Sequence, residues 1–380
     1  MLNDITLSRI DYGSIDFYQL PLQWSDLLKV STRPSIYTSF GYIDLSIKYF
    51  SEKENEVFFL LIRDKVSSQL IAIFPMSIEK RKCYNRSVKV LQHCITTYDS
   101  DVDKPYPVIH QQHEKKCWLA FKEYFNHQYI DWDWLEYDEL IPESGLNHEL
   151  KKNYSFPQYF SKQSVGPVSP IINLGGRWED FENAHRNMRK KSKRIEKVFG
   201  SNYRYVIYHK EEDMNYCLSQ YVSTELESWK KNEGVSSKDN QKFYSELLPL
   251  LAKEGLVYVG ILYDGKIAVS TEISYCYLDR VYFALGTYRM NYSKLSPGSV
   301  STSKFIQFFF DKGYKKGDFL AGFADYINPL SDHIEETKNT VVFKINFILF
   351  YYLFMRVLGK IKSIIKSTIR RLGKLINYAH

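Results

Sequence analysis

The sequence predicts an α/β (α+β) protein with two tandem halves, each built around a mixed, mainly antiparallel sheet. One order of elements, namely helices, a hairpin, a strand, a helix and a final strand, is indicated twice, roughly 200 residues apart. In the second copy, Asp264-Gly265 joins two runs of β-branched and aromatic residues, which is the strongest short signal of a hairpin. Farther on, Pro297-Gly298 makes a turn in front of an apolar helical run. Alternating strands and helices of this kind are typical of layered α/β architectures.

The first copy of this order occupies the N-terminal half. Apolar residues at helical spacing predict two helices between residues 15 and 50. The elements that follow are strands at 57–62, 70–76, 88–94 and 131–137 and a helix at 114–125. The polar segment 96–103 is expected to be a loop.

The second copy repeats the order without visible sequence identity to the first. Its predicted elements are strands at 203–208, 257–263, 266–275 and 280–287 and helices at 213–230 and 242–253. A further helix follows the Pro297-Gly298 turn and stops at Gly313, and a final strand is closed by Asp318. The repeat is therefore one of pattern alone.

A charged helix is predicted between the halves, over residues 177–200. Five of its apolar residues recur at helical spacing: Trp178, Phe181, Met188, Ile195 and Val198. Acidic residues occupy its first turns, a run of basic residues follows at 189–194, and Gly200 ends it, a polarity that complements the helix dipole. Two interpretations stay open: a solvated charged face on a docked helix, or a contact with an anionic substrate or with RNA.

Composition limits the class of protein. The five cysteines are odd in number and have no metal-like spacing, which argues against a disulfide framework or a zinc site and fits a reducing cytoplasm. The first twenty residues lack the apolar core of a signal peptide, so we expect a cytoplasmic protein. Residues 344–380 hold eight basic and no acidic residues, leaving 43 basic against 44 acidic residues elsewhere. This distribution argues against general nucleic-acid binding and favours one local electrostatic contact.

The turn before the last long helix is the first candidate site. A helix start reached through Ser296-Pro297-Gly298 offers free backbone N–H groups and a positive dipole end to a phosphate. Candidate phosphate-binding residues are Ser296, Gly298, Ser299 and Val300, and a serine can cap the helix. The same residues also fit a plain loop-to-helix turn.

Three residues near this turn are candidates for acid–base chemistry. Glu272 lies in the middle of a strand, in phase with Ser270 and Ser274, and could act as a base directly or through a water molecule. It could equally be an exposed residue on the polar face of a half-buried strand. Tyr288 and Tyr292, just before the turn, are candidates for the acid.

Several short motifs carry a resemblance to a known family. Tyr292, the segment Leu295-Ser296-Pro297-Gly298 and Gly317-Asp318-Phe319-Leu320 with Gly322 resemble the CelD/BioF-like acyltransferases of the GNAT superfamily. These bacterial proteins are related to the FemAB aminoacyl transferases, and the resemblance extends from about Trp24 to Phe343.

The resemblance implies the domain division and the site. Two tandem GNAT-like domains would span 1–170 and 171–343, with the pyrophosphate of acyl-CoA, most simply acetyl-CoA, held at residues 296–300. The residues implied on the substrate side are Asp99, Asp101, Asp318 and Tyr326. This sequence departs from the family where Ala321-Gly322 replaces an Arg-Gly pair and Tyr326-Ile327 replaces Tyr-Lys. The loss of both cations puts conventional substrate binding at this end in doubt.

The expected function is therefore acyl transfer from acyl-CoA to an amine or hydroxyl of a sugar or envelope-polysaccharide precursor. One alternative is a FemAB-like transferase that uses aminoacyl-tRNA and touches the tRNA with the basic helix at 189–197. Another is a non-catalytic, membrane-peripheral binding module. No metal-spaced cluster stands out, so we expect no catalytic metal.

The C-terminal tail, residues 344–380, predicts a basic amphipathic helix. Its eleven uncharged residues 345–355 are too few to cross a bilayer, for which about 20 are needed. Beyond them, apolar residues recur every three or four positions with basic residues between them. We expect this helix to lie on an anionic membrane surface, the inner face of the plasma membrane, unless it packs on the protein body or on a second subunit.

Overall fold

One continuous 13-stranded sheet runs through both halves of the chain. The structure is a computed structural model that describes residues 4–95, 103–127, 131–230, 234–321 and 328–358. The strands are β1 (Ile5–Asp11), β2 (Glu56–Asp64), β3 (Leu70–Cys83), β4 (Arg86–His93), β5 (Val108–Ile109), β6 (Trp134–Leu140), β7 (Tyr159–Asn173), β8 (Tyr203–Tyr208), β9 (Val257–Asp264), β10 (Ile267–Tyr277), β11 (Arg280–Tyr288), β12 (Lys316–Asp318) and β13 (His333–Lys344).

Helices cover both faces of this sheet. They are α1 (Ile15–Tyr18), α2 (Pro21–Lys29), α3 (Phe40–Phe50), α4 (Glu114–His127), α5 (Gly145–Asn153), α6 (Trp178–Ala184), α7 (Arg186–Phe199), α8 (Met214–Leu226), α9 (Lys238–Lys253) and α10 (Pro297–Asp311). A tail helix follows at 347–358. None of the described helices is long and apolar enough to cross a membrane.

The strand order explains how the halves join. From one edge the sheet runs β1-β2-β3-β4-β6 through the first half, then β13-β7, and then β12-β11-β10-β9-β8 through the second half, while β5 pairs with β3. All neighbours are antiparallel except β4 with β6 and β11 with β12. The predicted α/β class with mixed, mainly antiparallel strands is confirmed.

The prediction of one sheet per half is wrong. The last strand, β13, pairs with β6 of the first half on one side and with β7 on the other, for example Val342 with Leu135 and with Ser161. Because β13 is paired on both sides from Lys338 to Phe343, this stretch has no free edge that could associate with another chain. Both strands escaped prediction because β7 contains Gly166, Pro167 and Pro170 and β13 is rich in charged residues.

One core extends across the halves on one face of the sheet. Trp24 and Tyr42 from the first half belong to the same buried cluster as Phe243 and Tyr275 from the second. The rings of Tyr42 and Phe243 meet edge to face with centroids 5.8 Å apart. The division at residue 170 remains a proposal about domains that share this core.

The single helix predicted over 177–200 is two helices. His185 leaves the helical backbone at φ −111° and ψ 50°, between α6 and α7. Its ring nitrogens lie 2.8 Å from the carbonyl oxygens of Phe181 and Pro329, and these contacts fix the break.

The two parallel contacts in the sheet are short, and the second one shapes the candidate site. β11 pairs with β12 only from Arg280 to Tyr282. β11 continues to Tyr288, whereas β12 ends at Asp318. Within the described residues, the edge of β11 from Phe283 to Tyr288 therefore has no strand beside it on the β12 side.

Candidate active site

The predicted donor turn forms a helix start that is not capped by a side chain. Ser296 has a left-handed backbone with φ 55°, and Pro297 is the first residue of α10. The expected serine cap is absent, because the Ser296 side chain makes no capping hydrogen bond. The amides of Gly298 and Ser299 thus lie in the first turn, at the positive end of the helix dipole.

A lysine from the basic helix reaches this turn. Nζ of Lys191 lies 3.2 Å from the Ser299 hydroxyl and donates a hydrogen bond to it. Helices α7 and α10 also meet one turn farther along, where Lys304 lies 3.3 Å from Glu196. The sequence indicated a basic helix but not which of its lysines would face the turn, because that depends on how the two helices pack.

Tyr288 and Gly298 are brought together. A Cβ atom at Gly298 would lie 3.1 Å from Cδ1 of the Tyr288 ring, so the ring sits against the turn. Tyr288 is half-buried at the end of β11, opposite Ser270 of β10. A phenol at this point borders both the helix start and the unpaired strand edge.

Glu272 is buried, and the alternative of an exposed position on a polar strand face is wrong. Only 8% of the residue is exposed, because α10 covers this face of β10 while α8 covers the other. Its Oε1 accepts a hydrogen bond from the Thr302 hydroxyl, and its Oε2 has no partner within the described part of the chain. Burial raises the pKa of Glu272 to about 8, although the Thr302 hydrogen bond lowers it in part.

Sequence reasoning missed the tyrosine beside this carboxyl, Tyr205 of β8. Its hydroxyl donates to the Ser301 carbonyl oxygen at 3.3 Å, and its ring occupies the space that a side chain at Gly260 would need. Gly260 pairs with Glu272 in the sheet. Burial first and the nearby Glu272 carboxylate second raise the pKa of Tyr205 well above its usual value. The signal that could have found Tyr205 is the glycine in the middle of a strand, which marks a close approach by another group.

Tyr292, the other acid candidate, is directed elsewhere. Its hydroxyl donates to Oδ2 of Asp264 at 3.3 Å, at the tip of the β9–β10 hairpin. Glu272 lies five residues beyond Ile267, the first residue of β10, which is about 16 Å at the usual rise of a strand. The structure does not bring Tyr292 and Glu272 together.

Asp318, predicted on the substrate side, is fully buried in an ion-pair network. Its Oδ2 lies 2.9 Å from Nζ of Lys104 and 2.5 Å from Nη2 of Arg280, and Lys104 also pairs with Asp103 and Glu335. Burial alone raises the pKa of Asp318, but the two cations outweigh it and hold the pKa below the usual value. In the structure Asp318 contacts the two cations and is buried beneath them, and its predicted contact with a substrate stays a prediction.

The ion-pair network around Asp318 contains cations at the end of the site where this sequence lacks the two cations of the family motif. Lys104 comes from the first half and Arg280 from the start of β11, so two cations at this end come from outside the expected motif, and three carboxylates, Asp103, Asp318 and Glu335, surround them. Arg33 adds a third cation, with its guanidinium 5.6 Å from the centre of the Tyr106 ring. Within the described residues, no carboxylate oxygen lies within 4.0 Å of Arg33.

Three predicted substrate-side residues, Asp99, Asp101 and Tyr326, lie outside the described residues. In the ranges that are described, no group of three or more His, Cys, Asp or Glu residues is arranged to hold a metal ion.

A family model matches most of the second half of the chain. Residues 182–326 match the family model of an acetyltransferase (GNAT) domain, a span that contains Lys191, Tyr205, Glu272, Gly298 and Asp318. The match shows an acetyltransferase (GNAT) domain in this span, which agrees with the predicted superfamily and confirms the predicted enzyme class, an acyltransferase. No curated protein matches the chain significantly.

Solved structures share the fold of the whole chain at low sequence identity. FemX is 8% identical, with 90% of this chain and 99% of FemX covered and a TM-score of 0.56. The C-terminal domain of a putative lysylphosphatidylglycerol synthetase from Agrobacterium fabrum is 9% identical, with 86% and 92% covered and a TM-score of 0.51. L-PGS from Bacillus licheniformis is 11% identical, with 90% and 97% covered and a TM-score of 0.50. At these identities the similarity concerns the fold alone.

Proposed function

We propose that this protein transfers an acyl group from acyl-CoA, most simply acetyl-CoA, to an amine or hydroxyl of a sugar or envelope-polysaccharide precursor. The proposal starts from the GNAT acetyltransferase domain that the chain contains. One observation carries the donor half of this proposal: the uncapped start of α10, with Lys191 beside it, borders the edge of β11 that no described strand pairs with after Tyr282.

The donor would be held in two parts. The amides of Gly298 and Ser299 and the ammonium group of Lys191 suit a pyrophosphate, because backbone donors at a helix start and a lysine both favour phosphate oxygens. The extended, amide-containing arm of the donor suits the open edge from Phe283 to Tyr288, where backbone groups can pair with it as with an added strand.

Glu272 is the proposed base. A carboxylate with a pKa near 8 is a stronger base than an exposed one and suits proton removal from an acceptor near neutral pH. Because Glu272 is buried, we propose that the proton reaches it through a water molecule. The acceptor nitrogen or oxygen forms a bond with the acyl carbon, the bond from that carbon to sulfur breaks, and Tyr288 is the proposed acid for the departing thiolate.

The acceptor would bind where the two halves meet. Lys104 and Arg280 are paired with carboxylates at this place, whereas no described carboxylate oxygen lies within 4.0 Å of Arg33, which leaves Arg33 as the cation for an acceptor. A sugar precursor that carries phosphate or carboxylate groups fits this charge. The roles implied for Asp99, Asp101 and Tyr326 stay proposals.

Aminoacyl-tRNA is the second candidate for the donor. The observation that favours it is the outer face of α7, where Arg186, Lys190, Lys193, Arg194 and Lys197 are exposed. A row of exposed cations suits a polyanion such as tRNA. Ribonuclease treatment of a cell extract that supplies the donor should abolish activity if the donor is aminoacyl-tRNA and leave it intact if the donor is acyl-CoA.

The non-catalytic, membrane-peripheral module stays an alternative, because Lys104 and Arg280 bring cations to this end but are themselves paired with Asp318 and Glu335. The peripheral contact between residues 344–380 and an anionic membrane, on the inner face of the plasma membrane, is kept as part of the proposal. Residues 359–380 lie outside the described residues.

Replacing Gly298 by valine tests the donor site. The new side chain would crowd the Tyr288 ring and block a close approach to the backbone of the turn. We expect Gly298→Val to lower the acetyl-CoA affinity, measured by calorimetry, while its thermal stability stays close to that of the unchanged chain. The control is Gly176→Val, at a glycine where an added Cβ atom would have nothing within 4 Å. Unchanged affinity in Gly298→Val would place the donor elsewhere.

A further inference from the structure

The tail helix carries an exposed apolar stripe. Phe347, Phe350, Phe354 and Val357 are 62%, 61%, 61% and 55% exposed. Their spacing of three, four and three residues puts them on one face of the helix. Three exposed phenylalanines on one short helix are unusual on a surface that faces only water.

The opposite face of the helix is fixed against the first half. Leu349 is 4% exposed and belongs to a buried cluster with Val88, Val90, Trp134 and Phe343. Ile345, Ile348 and Tyr352 pack against the same cluster. The alternative that the tail packs on the body is therefore right for residues 345–352, and this packing directs the phenylalanine stripe outward.

The turn between β3 and β4 lies next to the stripe. The guanidinium of Arg86 lies 4.8 Å from the ring centre of Phe347 and 5.1 Å from that of Tyr351. The ring of Tyr84, which is 47% exposed, lies 6.4 Å from the Tyr351 ring. An exposed tyrosine and a cation thus flank the apolar stripe, and they come from a segment more than 250 residues earlier in the chain.

We propose that the tail helix and the β3–β4 turn form one docking surface for an anionic lipid bilayer. In this arrangement Phe347, Phe350 and Phe354 enter the interface between head groups and acyl chains, while Tyr84 and Arg86 lie at the level of the head groups. The inference deepens the peripheral contact proposed for residues 344–380 and rests on it, but it is independent of the acyl-transfer chemistry.

Charge selects the bilayer over a second copy of the chain. Arg86 lies beside the stripe, Arg356 is exposed on the same helix, and residues 359–380 add six basic residues and no acidic one. Two copies that met through this surface would bring like charges together, whereas anionic head groups would neutralise them. An aromatic stripe bordered by cations is the pattern of a helix that lies in the plane of an anionic membrane surface.

The experiment compares full-length variants in co-sedimentation with vesicles of phosphatidylglycerol and phosphatidylcholine, and with vesicles of phosphatidylcholine alone. The test variant is Phe350→Glu with Phe354→Glu. The matched control is Leu22→Glu with Val66→Glu, which introduces the same charges at sites 82% and 90% exposed. Val66 lies between β2 and β3, at the end of β3 opposite the β3–β4 turn.

We expect the unchanged chain and the control to sediment with the anionic vesicles only, and the test variant to bind at least about tenfold more weakly. Arg86→Glu should also weaken binding, and rising salt should weaken it further. If the test variant bound as tightly as the unchanged chain, the proposed surface of the tail helix and the β3–β4 turn would be refuted. The membrane contact would then have to come from residues 359–380. If the unchanged chain does not bind, the peripheral contact itself is refuted, while acetyl-CoA binding by the same sample decides the proposed function separately.

A second measurement does not depend on a loss of binding. In Phe354→Trp, the added indole should be quenched by brominated lipids on contact with anionic vesicles, relative to the unchanged chain. No additional quenching, in a sample that sediments with the vesicles, would also overturn the surface.

Discussion

The Thr302 hydroxyl donates a hydrogen bond to Oε1 of Glu272, which ties the proposed base to the helix that begins at the donor turn. Thr302 lies one turn of α10 after Gly298, so the carboxyl is located directly under the donor helix. Its other oxygen, Oε2, has no partner in the described chain and is the atom left to take up a proton. The helix start and the base are thus held in one rigid unit.

Acyl transfer should depend on the ionisation of Glu272. A base must be ionised, and burial raises the pKa of Glu272 to about 8, so kcat/KM should rise with pH up to about 8 and then level off. Glu272→Gln should lower turnover by on the order of 10²–10⁴ and remove this pH dependence, with little change in donor affinity. The measurement is the pH profile of each variant with acetyl-CoA. Turnover near that of the unchanged chain at every pH would exclude Glu272 as the base.

Glu272 should also make the free energy of unfolding depend on pH. Its pKa is about 8 in the folded protein against the ordinary 4.5, so the folded state holds the proton more tightly. The resulting stabilisation is fully present below about pH 4.5 and is lost as the pH rises through about 8.

Urea unfolding of the unchanged chain and of Glu272→Gln, at pH 5.5 and 8.5, measures this dependence. The fall in unfolding free energy between the two pH values should be smaller in Glu272→Gln by on the order of 1–4 kcal/mol, because glutamine does not titrate. The same fall in both proteins would mean that Glu272 titrates normally and is open to water.

Lys191 should contribute to donor affinity, whereas its neighbour Lys193 should not. Lys191 lies at the donor turn, while Lys193 is exposed on the outer face of α7. Lys191→Met should weaken acetyl-CoA binding about tenfold, the loss of one charge-assisted contact to phosphate. Lys193→Met removes the same charge and is the control. Calorimetry would contradict the assignment if both variants bound acetyl-CoA with equal affinity.

Loss of the Lys104 charge should destabilise the protein strongly. Lys104→Met leaves the fully buried Asp318 with one cation fewer, and breaking a buried ion pair in this way costs about 3–5 kcal/mol. Lys29→Met breaks only the exposed pair with Asp26 and should cost less than about 1 kcal/mol. Chemical denaturation measures both. If the free energy of unfolding fell by a similar small amount in both variants, solvent would reach Asp318 and screen its charge.

The sequence by itself determined the elements whose signals are local. The Asp264-Gly265 hairpin, the Pro297-Gly298 turn and the helix after it are each specified within about fifteen residues, by turn chemistry and apolar spacing. These elements make up the donor side of the site. The basic character of α7 and the first part of the tail helix were also visible as patterns.

Tertiary structure alone decided how the halves join. Strands β7 and β13 are polar and interrupted by proline or charge, and they become strands because each finds partners in the sheet. The pairing of Lys104 with Asp318 joins residues 214 positions apart, a relationship that no local pattern contains. Pairing between strands far apart in sequence requires the chain between them to close into a loop. The stabilising contacts of such strands form only after this closure, so no local pattern predicts them.

The same limit applies to the site. Glu272 has a strand pattern that fits either a polar face or a buried position, and helices on both faces of β10 made it buried. The rotation of one element against another determines which lysine of α7 meets Ser299. It also determines which of the 31 tyrosines lies beside Glu272. That rotation is set by side-chain packing between elements far apart in sequence, so the sequence determined the chemical groups and the tertiary structure determined which of them meet.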